Sequence, residues 1–113
     1  KKKLTNRTLV NQIVNALKGV KKKNYILFAY EPVWSIGTGK IPTKEDLENS
    51  INFIKIKLKK KYKLKNPKVL YGGSVNAKNI TYLKKINIID GFLVGLASQK
   101  AKNFIDIVKK TFN

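Results

Sequence analysis

The sequence predicts an α/β fold in which three parallel strands alternate with four helices. Segments with apolar residues at helical spacing alternate along the chain with short, continuously apolar segments that are typical of buried strands. Successive strands joined through a helix run parallel, because the helix returns the chain to the edge of the sheet where the first strand began. No low-complexity linker interrupts this order over residues 1–113, so we expect one domain, or part of one, without an internal boundary.

The first helix is predicted over residues 4–20 and the first strand over residues 25–30. Gly19 and the lysines at 21–23 close the helix. The strand segment is continuously apolar or aromatic, which is typical of a strand buried on both faces. Glu31 follows at its carboxyl end. The apolar face of the helix is predicted to consist of Leu9, Ile13, Ala16, Leu17 and Val20.

The second helix is predicted to begin after Thr43, with Glu45 and Asp46 in its first turn. A threonine at this position can accept a hydrogen bond from the first turn, and the acidic residues complement the helix dipole. Pro67 ends the connection that follows, and a short strand is predicted over residues 69–71. The apolar face of the helix is predicted to consist of Leu47, Ile51, Ile54, Leu58 and Tyr62.

The remaining elements are two helices and a third strand. Asn76 is a suitable N-cap for a helix that contains Ile80 and Leu83. Residues 88–95 predict the third buried strand, and residues 97–112 predict the last helix. The inward face of that helix is predicted to consist of Ala101, Phe104, Ile105, Val108 and Phe112.

The net charge of +19 would by itself favour binding to nucleic acid or to an anionic membrane surface. Arg7, however, is the single arginine among 25 basic residues. Lysine lacks the planar guanidinium group that reads guanine or holds phosphate through two parallel hydrogen bonds. We therefore interpret the lysines as composition bias and solvated helix faces, and we expect neither a nucleic-acid nor a membrane partner.

The sequence contains no cysteine and no histidine. Thiolate metal sites are thus excluded, and the commonest general acid or base is missing, so any catalysis must depend on carboxylates, lysines and backbone groups. No apolar run approaches the roughly 20 residues that span a bilayer, and we expect a soluble, cytoplasmic protein. Because the sequence begins at Lys1 rather than at a methionine, we expect it to be part of a longer protein.

Three glycine-containing loops, at residues 31–40, 72–75 and 95–97, each follow a predicted strand. In parallel α/β folds ligands bind at the carboxyl ends of the strands, so these loops should share one face. A functional site is expected there.

The first of these loops has the composition of a lid. Pro32 keeps Glu31 extended, which directs the carboxylate away from the strand tip. Pro32 and Trp34 form a stiff base, whereas Gly37 and Gly39 allow a mobile tip whose amides can approach an anion.

Three segments of the chain carry a resemblance to a known family. They are residues 29–40 (AYEPVWSIGTGK), 71–76 (YGGSVN) and 90–95 (DGFLVG). The first is similar, almost letter for letter, to the lid motif of the triosephosphate isomerase family, and the other two match two later loop motifs of that family, in the same order. The resemblance covers essentially the whole chain and implies the C-terminal portion of a (β/α)8 TIM barrel, with residues 1–113 as a partial TIM-barrel domain.

The resemblance also implies an activity. The expected enzyme interconverts dihydroxyacetone phosphate and D-glyceraldehyde 3-phosphate, in glycolysis and gluconeogenesis, without a metal or an organic cofactor. It is expected to be a homodimer whose main interface loop lies outside this chain.

Individual residues receive roles from the same resemblance. Glu31 would be the general base that transfers a proton through an enediolate. Considered alone, a glutamate at a strand end among many lysines would be interpreted as one half of a surface salt bridge, and Gly72-Gly73 as a tight turn. The substrate phosphate would be held by the backbone amides of Gly37, Ser74, Gly95 and Leu96. The lid and its hinges would comprise Pro32, Val33, Trp34, Ser35, Ile36, Thr38, Gly39 and Lys40.

Three positions depart from the family pattern. Leu96 stands where many members have a second glycine, and Ser35 replaces a common alanine. Pro42 lacks the N–H group to which the family's tyrosine, here Tyr71, bonds when the lid closes. We therefore expect the contribution of Tyr71 to lid closure to be absent.

Part of the expected site has no counterpart in this chain. The family's electrophilic histidine and its substrate-binding lysine and asparagine belong to the earlier half of the barrel. Three strands of eight cannot close a barrel, so we expect the chain alone to be inactive and prone to aggregation through its edges. A basic nucleic-acid-binding module and an inactive remnant that preserves only the fold are the alternative hypotheses.

Overall fold

In the computed structural model, which describes residues 2–113, three parallel strands form one sheet and alternate along the chain with four α-helices. The strands are β1 (Leu27–Tyr30), β2 (Lys68–Tyr71) and β3 (Gly91–Phe92), and they lie side by side in that order. The helices are α1 (Lys2–Leu17), α2 (Lys44–Tyr62), α3 (Ile80–Leu83) and α4 (Ala101–Phe112). Short 3-10 helices occupy Lys23–Tyr25, Val33–Ser35 and Leu96–Ser98. The predicted α/β class, with its parallel strands and helical connections, is confirmed.

The register of the sheet brings the carboxyl ends of the strands together. Tyr30 at the end of β1 pairs with Tyr71 at the end of β2, and Tyr71 pairs with Phe92 of β3. The pairing continues past the strands, because the Gly72 amide donates to the Tyr30 carbonyl at 3.1 Å and the Leu93 amide donates to the Tyr71 carbonyl at 3.0 Å. The loops that follow the strands therefore start from one edge.

Only one face of β1 is covered, and the prediction of a strand buried on both faces is wrong. Phe28 and Tyr30 pack against the core, whereas Leu27 is 65% exposed and Ala29 is exposed on the opposite face. The strand also begins at Leu27, since Tyr25 lies in a 3-10 helix. Because the segment is continuously apolar, both faces of β1 are suited to burial. No residue within 2–113, however, covers the face that carries Leu27 and Ala29.

The helices pack on the same side of the sheet in two apolar clusters that α2 connects. Ile51 and Leu58 of α2 belong to the first cluster, with α1, and Leu47 belongs to the second, with α3 and α4. These three side chains are fully buried. Removing a leucine or isoleucine side chain from water contributes about 1.5–3 kcal/mol, so α2 stabilises both clusters.

Of the two predicted N-caps, Thr43 caps its helix and Asn76 does not. The Thr43 hydroxyl accepts a hydrogen bond from the Asp46 amide at 3.2 Å, as predicted. Asn76 behaves differently, because its side-chain oxygen accepts from the amides of Lys78 and Asn79, both at 2.9 Å. It thus caps a turn that precedes α3, and Asn79 is the N-cap of the helix itself.

Two predicted boundaries are too wide. The first helix ends at Leu17, because Gly19 adopts a left-handed conformation (φ +76°); Val20 lies outside the helix and Ala16 is exposed. The third strand contains only Gly91–Phe92 instead of residues 88–95, although Ile88 and Ile89 pack on the core beside it.

The predicted inward face of α4 is also wrong. Ile107 is its buried residue, whereas the five predicted residues are exposed: Ala101, Phe104, Ile105, Val108 and Phe112. The helix begins at Ala101 and contacts α3 and the 3-10 helix before it. Its apolar residues extend over more than one face, and the pattern alone does not indicate which face meets the rest of the chain.

Asp90 joins the start of β3 to β2 and α2. Its carboxylate lies 2.7 Å from the Lys55 ammonium group and accepts from the Val69 amide at 2.8 Å. Lys55 also donates to the Ile88 carbonyl at 2.8 Å. Burial alone would raise the pKa of Asp90, but the hydrogen bonds from Lys55 and Val69 and the nearby charge of Lys68 hold it below its usual value.

No helix in the described range 2–113 combines the length and the apolar character needed to cross a membrane.

Candidate active site

The three strand-end loops line one cavity of about 710 Å³ at the carboxyl edge of the sheet. This confirms that the loops share a face. The first loop contributes Glu31, Ile36, Gly37 and Gly39; the second contributes Gly72, Ser74, Val75 and Asn76; the third and the residues after it contribute Gly95, Leu96, Ala97 and Gln99.

Glu31 lies at the mouth of this cavity, directly after β1. The extended backbone of Pro32 (φ −59°, ψ +124°) and the burial of its ring fix the chain just beyond the carboxylate. Within the described part of the chain, no lysine or arginine forms an ion pair with Glu31. The interpretation of Glu31 as half of a surface salt bridge therefore has no support, and an unpaired carboxylate faces the cavity.

Gly72 gives the Glu31 side chain its space. A Cβ atom built at residue 72 would lie 2.6 Å from Glu31 Cγ and 2.9 Å from Glu31 Cδ. Any side chain at this position would have to displace the carboxylate. Sequence reasoning placed Gly72 in a loop motif but gave it no role beside Glu31, because the contact joins two loops that are far apart in the chain.

Residues 32–40, the segment that the resemblance predicts to be a lid and that is called the lid below, have a fixed base and an exposed tip. Ser35 is completely buried and its amide donates to the Pro32 carbonyl at 2.8 Å, which closes a 3-10 helix. Trp34 beside it is about half exposed. At the tip, Gly37 (φ +68°) and Gly39 (φ +76°) adopt the left-handed conformation that favours glycine. The glycines are therefore required by the backbone of this loop.

Ser74 connects the second loop to the lid. Its hydroxyl accepts a hydrogen bond from the Gly39 amide at 3.0 Å and donates to the Ser35 carbonyl. The resemblance implied a role for the Ser74 amide, whereas the structure adds a role for its side chain in holding the tip of the lid. In the sequence, only the position of the Ser74 hydroxyl directly after two glycines indicates this contact with the lid.

Tyr71 also contacts the lid. Its side chain is fully buried and its hydroxyl lies 3.1 Å from the Ser35 hydroxyl. That Tyr71 makes no contribution to lid closure stays a prediction, but the structure gives Tyr71 a partner in this loop, Ser35, which the sequence analysis did not foresee.

The backbone amides of Gly37, Ser74, Gly95 and Leu96 donate to no acceptor within residues 2–113, as is also true of Val75 and Ala97, and all six residues line the cavity. Unpaired amides that gather on one cavity form a suitable site for an anion such as phosphate. Leu96 lies over Gly37, since a Cβ atom at residue 37 would be 3.9 Å from Leu96 Cδ1, and Leu96 is itself exposed. The extra side chain at this position consequently finds room.

A parallel sheet with its helices on one side, and with glycine-rich loops around a cavity at its carboxyl edge, is the architecture of part of a (β/α)8 barrel. Comparison with known protein families shows to which family of barrels the chain belongs. The sequence model of the family described as "Triosephosphate isomerase" matches residues 1–111, and the chain belongs to that family.

Individual relatives agree with this assignment. The chain is 41% identical over 105 residues to the triosephosphate isomerase of Borrelia garinii subsp. bavariensis, an alignment that covers 88% of the chain and 42% of the relative. It is 42% identical over 113 residues to that of Borrelia hermsii, covering 93% of the chain and 44% of the relative. It is 47% identical over 85 residues to that of Mycoplasmopsis agalactiae, covering 74% of the chain and 30% of the relative. The chain thus spans less than half the length of these curated relatives.

Proposed function

We propose that the protein containing this chain is a triose-phosphate isomerase that interconverts dihydroxyacetone phosphate and D-glyceraldehyde 3-phosphate. The observation that supports this most strongly is the position of the unpaired Glu31 carboxylate on the same cavity as four unpaired amides. One group can remove a proton while the others hold a phosphate nearby.

Glu31 acts as the general base. It takes a proton from the hydroxyl-bearing carbon of dihydroxyacetone phosphate while the electron pair of that C–H bond moves toward the carbonyl carbon. The product is an enediolate whose charge lies on the former carbonyl oxygen. A proton then moves from the hydroxyl oxygen of the first carbon to that oxygen, with the help of the electrophile outside this chain. The protonated Glu31 returns its proton to the second carbon, and the first carbon becomes the aldehyde. A positioned base of this kind contributes about 10²–10⁴-fold to a reaction rate.

The amides of Gly37, Ser74, Gly95 and Leu96 hold the substrate phosphate. Backbone N–H groups suit a dianion because they donate without a counter-charge that would compete for Glu31. The lid from Pro32 to Lys40 then covers the bound substrate, which removes water from the carboxylate and protects the enediolate.

The other half of the site lies outside this chain. The charge that develops on the enediolate oxygens needs a hydrogen-bond donor, and in the family this is a histidine from the earlier half of the barrel. The 113-residue chain alone is accordingly inactive. The whole protein acts as a homodimer in the cytoplasm, in glycolysis and gluconeogenesis.

The test is an isomerisation assay on the whole gene product with Glu31→Gln, which keeps the shape of the side chain and removes its basicity. We expect kcat to fall about 10³-fold with little change in KM, because the base acts in the chemical step. Glu45→Gln is the matched control, since Glu45 is exposed on the first turn of α2 and does not line the cavity.

An unsubstituted gene product that does not isomerise dihydroxyacetone phosphate would refute the proposed activity. Equal rates for the Glu31→Gln variant and the unsubstituted protein would refute the role of Glu31. Isomerisation by the purified 113-residue chain would refute the assignment of the electrophile to the missing half.

A further inference from the structure

A chain of hydrogen bonds connects the end of β2 to both ends of the lid tip. The Tyr71 hydroxyl lies 3.1 Å from the Ser35 hydroxyl, and the Ser35 hydroxyl donates to the Lys40 carbonyl. Ser35 precedes the exposed residues 36–40 and Lys40 ends them. Both ends of the tip are thus attached to one buried point on the sheet.

The direction of these hydrogen bonds is determined by the number of protons. Ser35 has one hydroxyl proton, which it donates to Lys40, so Tyr71 must be the donor to Ser35. Burial raises the pKa of the Tyr71 hydroxyl, and this outweighs the lowering by its hydrogen bond to Ser35. Tyr71 therefore keeps its proton throughout the neutral range.

The pair is enclosed as well as bonded. A Cβ atom at Gly73 would lie 2.5 Å from both the Ser35 hydroxyl and the Tyr71 hydroxyl. Ser35 and Tyr71 are both completely buried. Water cannot replace a partner in such a position, so loss of either hydroxyl leaves the other one unsatisfied.

Pro42 explains why the contact depends on a serine. The proline has no N–H group, so residue 42 offers no backbone donor to the Tyr71 hydroxyl. Ser35 can accept from Tyr71 and donate to Lys40 at the same time. An alanine at residue 35 would remove this connection.

We propose that Ser35 and Tyr71 form a latch that fixes the hinges of the lid, with Ser35 as a positioning residue that acts on the loop and not on the substrate. The inference rests on the proposed function only in treating this loop as a lid. It concerns the order of the loop itself, which can be measured without turnover.

The test measures amide hydrogen exchange of residues 36–40 in the whole gene product and in the variants Ser35→Ala, Tyr71→Phe and the double variant. Each single substitution is expected to raise lid exchange about fivefold, the effect of one net hydrogen bond. The double variant is expected to match the single variants within twofold, because both substitutions break the same connection. Ser50→Ala is the control, since Ser50 accepts from Tyr30 at 3.4 Å in an analogous pair outside the lid.

Four results would overturn the latch. The first is unchanged amide exchange of residues 36–40 in Ser35→Ala, and the second is a rise of about 25-fold in the double variant, as independent effects would give. The third is an equal rise in the exchange of the Ile51 and Leu58 amides of α2. The fourth is an equal rise in lid exchange in the Ser50→Ala control. The third result would show a general loss of stability instead of a local release. A failed isomerisation assay would leave all four measurements interpretable.

Discussion

The backbone of Gly72 lies so close to Glu31 that a Cβ atom at residue 72 would be 2.6 Å from Glu31 Cγ. The amide of the same glycine donates to the Tyr30 carbonyl at 3.1 Å, which holds the two loop starts together. The position of the proposed base thus depends on the absence of a side chain at the start of the loop that follows β2.

Gly72→Ala is therefore expected to lower kcat of the isomerisation by about 100-fold, because a displacement of about 1 Å at a reacting group has effects of this size. The assay is steady-state isomerisation by the whole gene product, with circular dichroism to show that the fold is retained. Gly19→Asn is the control, since Gly19 has nothing within 4 Å and asparagine tolerates its left-handed backbone. Unchanged kcat in Gly72→Ala would show that Glu31 has freedom that the structure does not indicate.

Asp90 should make the protein sensitive to acid. Its pKa is below its usual value in the folded state, so its contribution to stability is complete above the unfolded pKa and is lost as the pH falls through the folded pKa. We expect Asp90→Asn to lower the free energy of unfolding by about 1–3 kcal/mol at pH 7 and by much less in strong acid. Urea denaturation at several pH values measures the difference.

The control for this experiment is Asp106→Asn, which removes an exposed ion pair with Lys110 on α4. Exposed pairs of this kind contribute about 0–1 kcal/mol, and we expect a change near the lower end. If both variants lost equal stability at pH 7, the partly buried contacts of Asp90 with Lys55 and Val69 would not stabilise the fold more than an exposed ion pair does.

Ile51 and Ile56 provide a comparison within one helix. Ile51 of α2 is fully buried in the cluster that α2 forms with α1, whereas Ile56 of the same helix is 42% exposed. Ile51→Ala should lower the free energy of unfolding by about 2–5 kcal/mol, because it removes buried methyl groups and leaves a cavity. Ile56→Ala should cost well under half of that. Chemical denaturation of the two variants would contradict this packing if their order were reversed.

The exposed apolar face of α4 should cause self-association of the 113-residue chain. Phe104, Ile105 and Val108 lie together on this face, and exposed apolar patches of this kind promote association. We expect Phe104→Lys combined with Val108→Lys to reduce the sedimenting aggregate severalfold. Leu4→Lys, at another exposed apolar position on α1, is the comparison for a general effect of added charge. Equal aggregation of the α4 variant and the unsubstituted chain would show that another surface is responsible.

Local chemistry made much of the fold and of the site predictable. Thr43 caps α2 through a contact three residues away, and Glu31 and Pro32 are adjacent in sequence, so their patterns are visible in the sequence. The parallel order then brings the loops to one face, because the connections between strands are helices.

The wrong predictions concern which faces of the strands and helices are covered by other parts of the chain. Leu27 and Phe104 are apolar and were predicted to be buried, but both are exposed. Whether such a residue is buried depends on neighbours that the local pattern does not specify. The roles of Ser35 and Gly73 were missed for a related reason. Each depends on a contact between loops about 36 residues apart, and single residues of these types carry no signal of such a contact.

The half-exposed tryptophan at the base of the lid has a practical consequence. Trp34 is the only tryptophan among the 113 residues, and its carbonyl accepts a hydrogen bond from the Thr38 hydroxyl at 3.0 Å, inside the same loop. The fluorescence of this chain above the tyrosine band therefore originates from the lid alone. The sequence thus carries its own optical probe, with which the proposed opening of the loop can be tested in real time without attaching a dye.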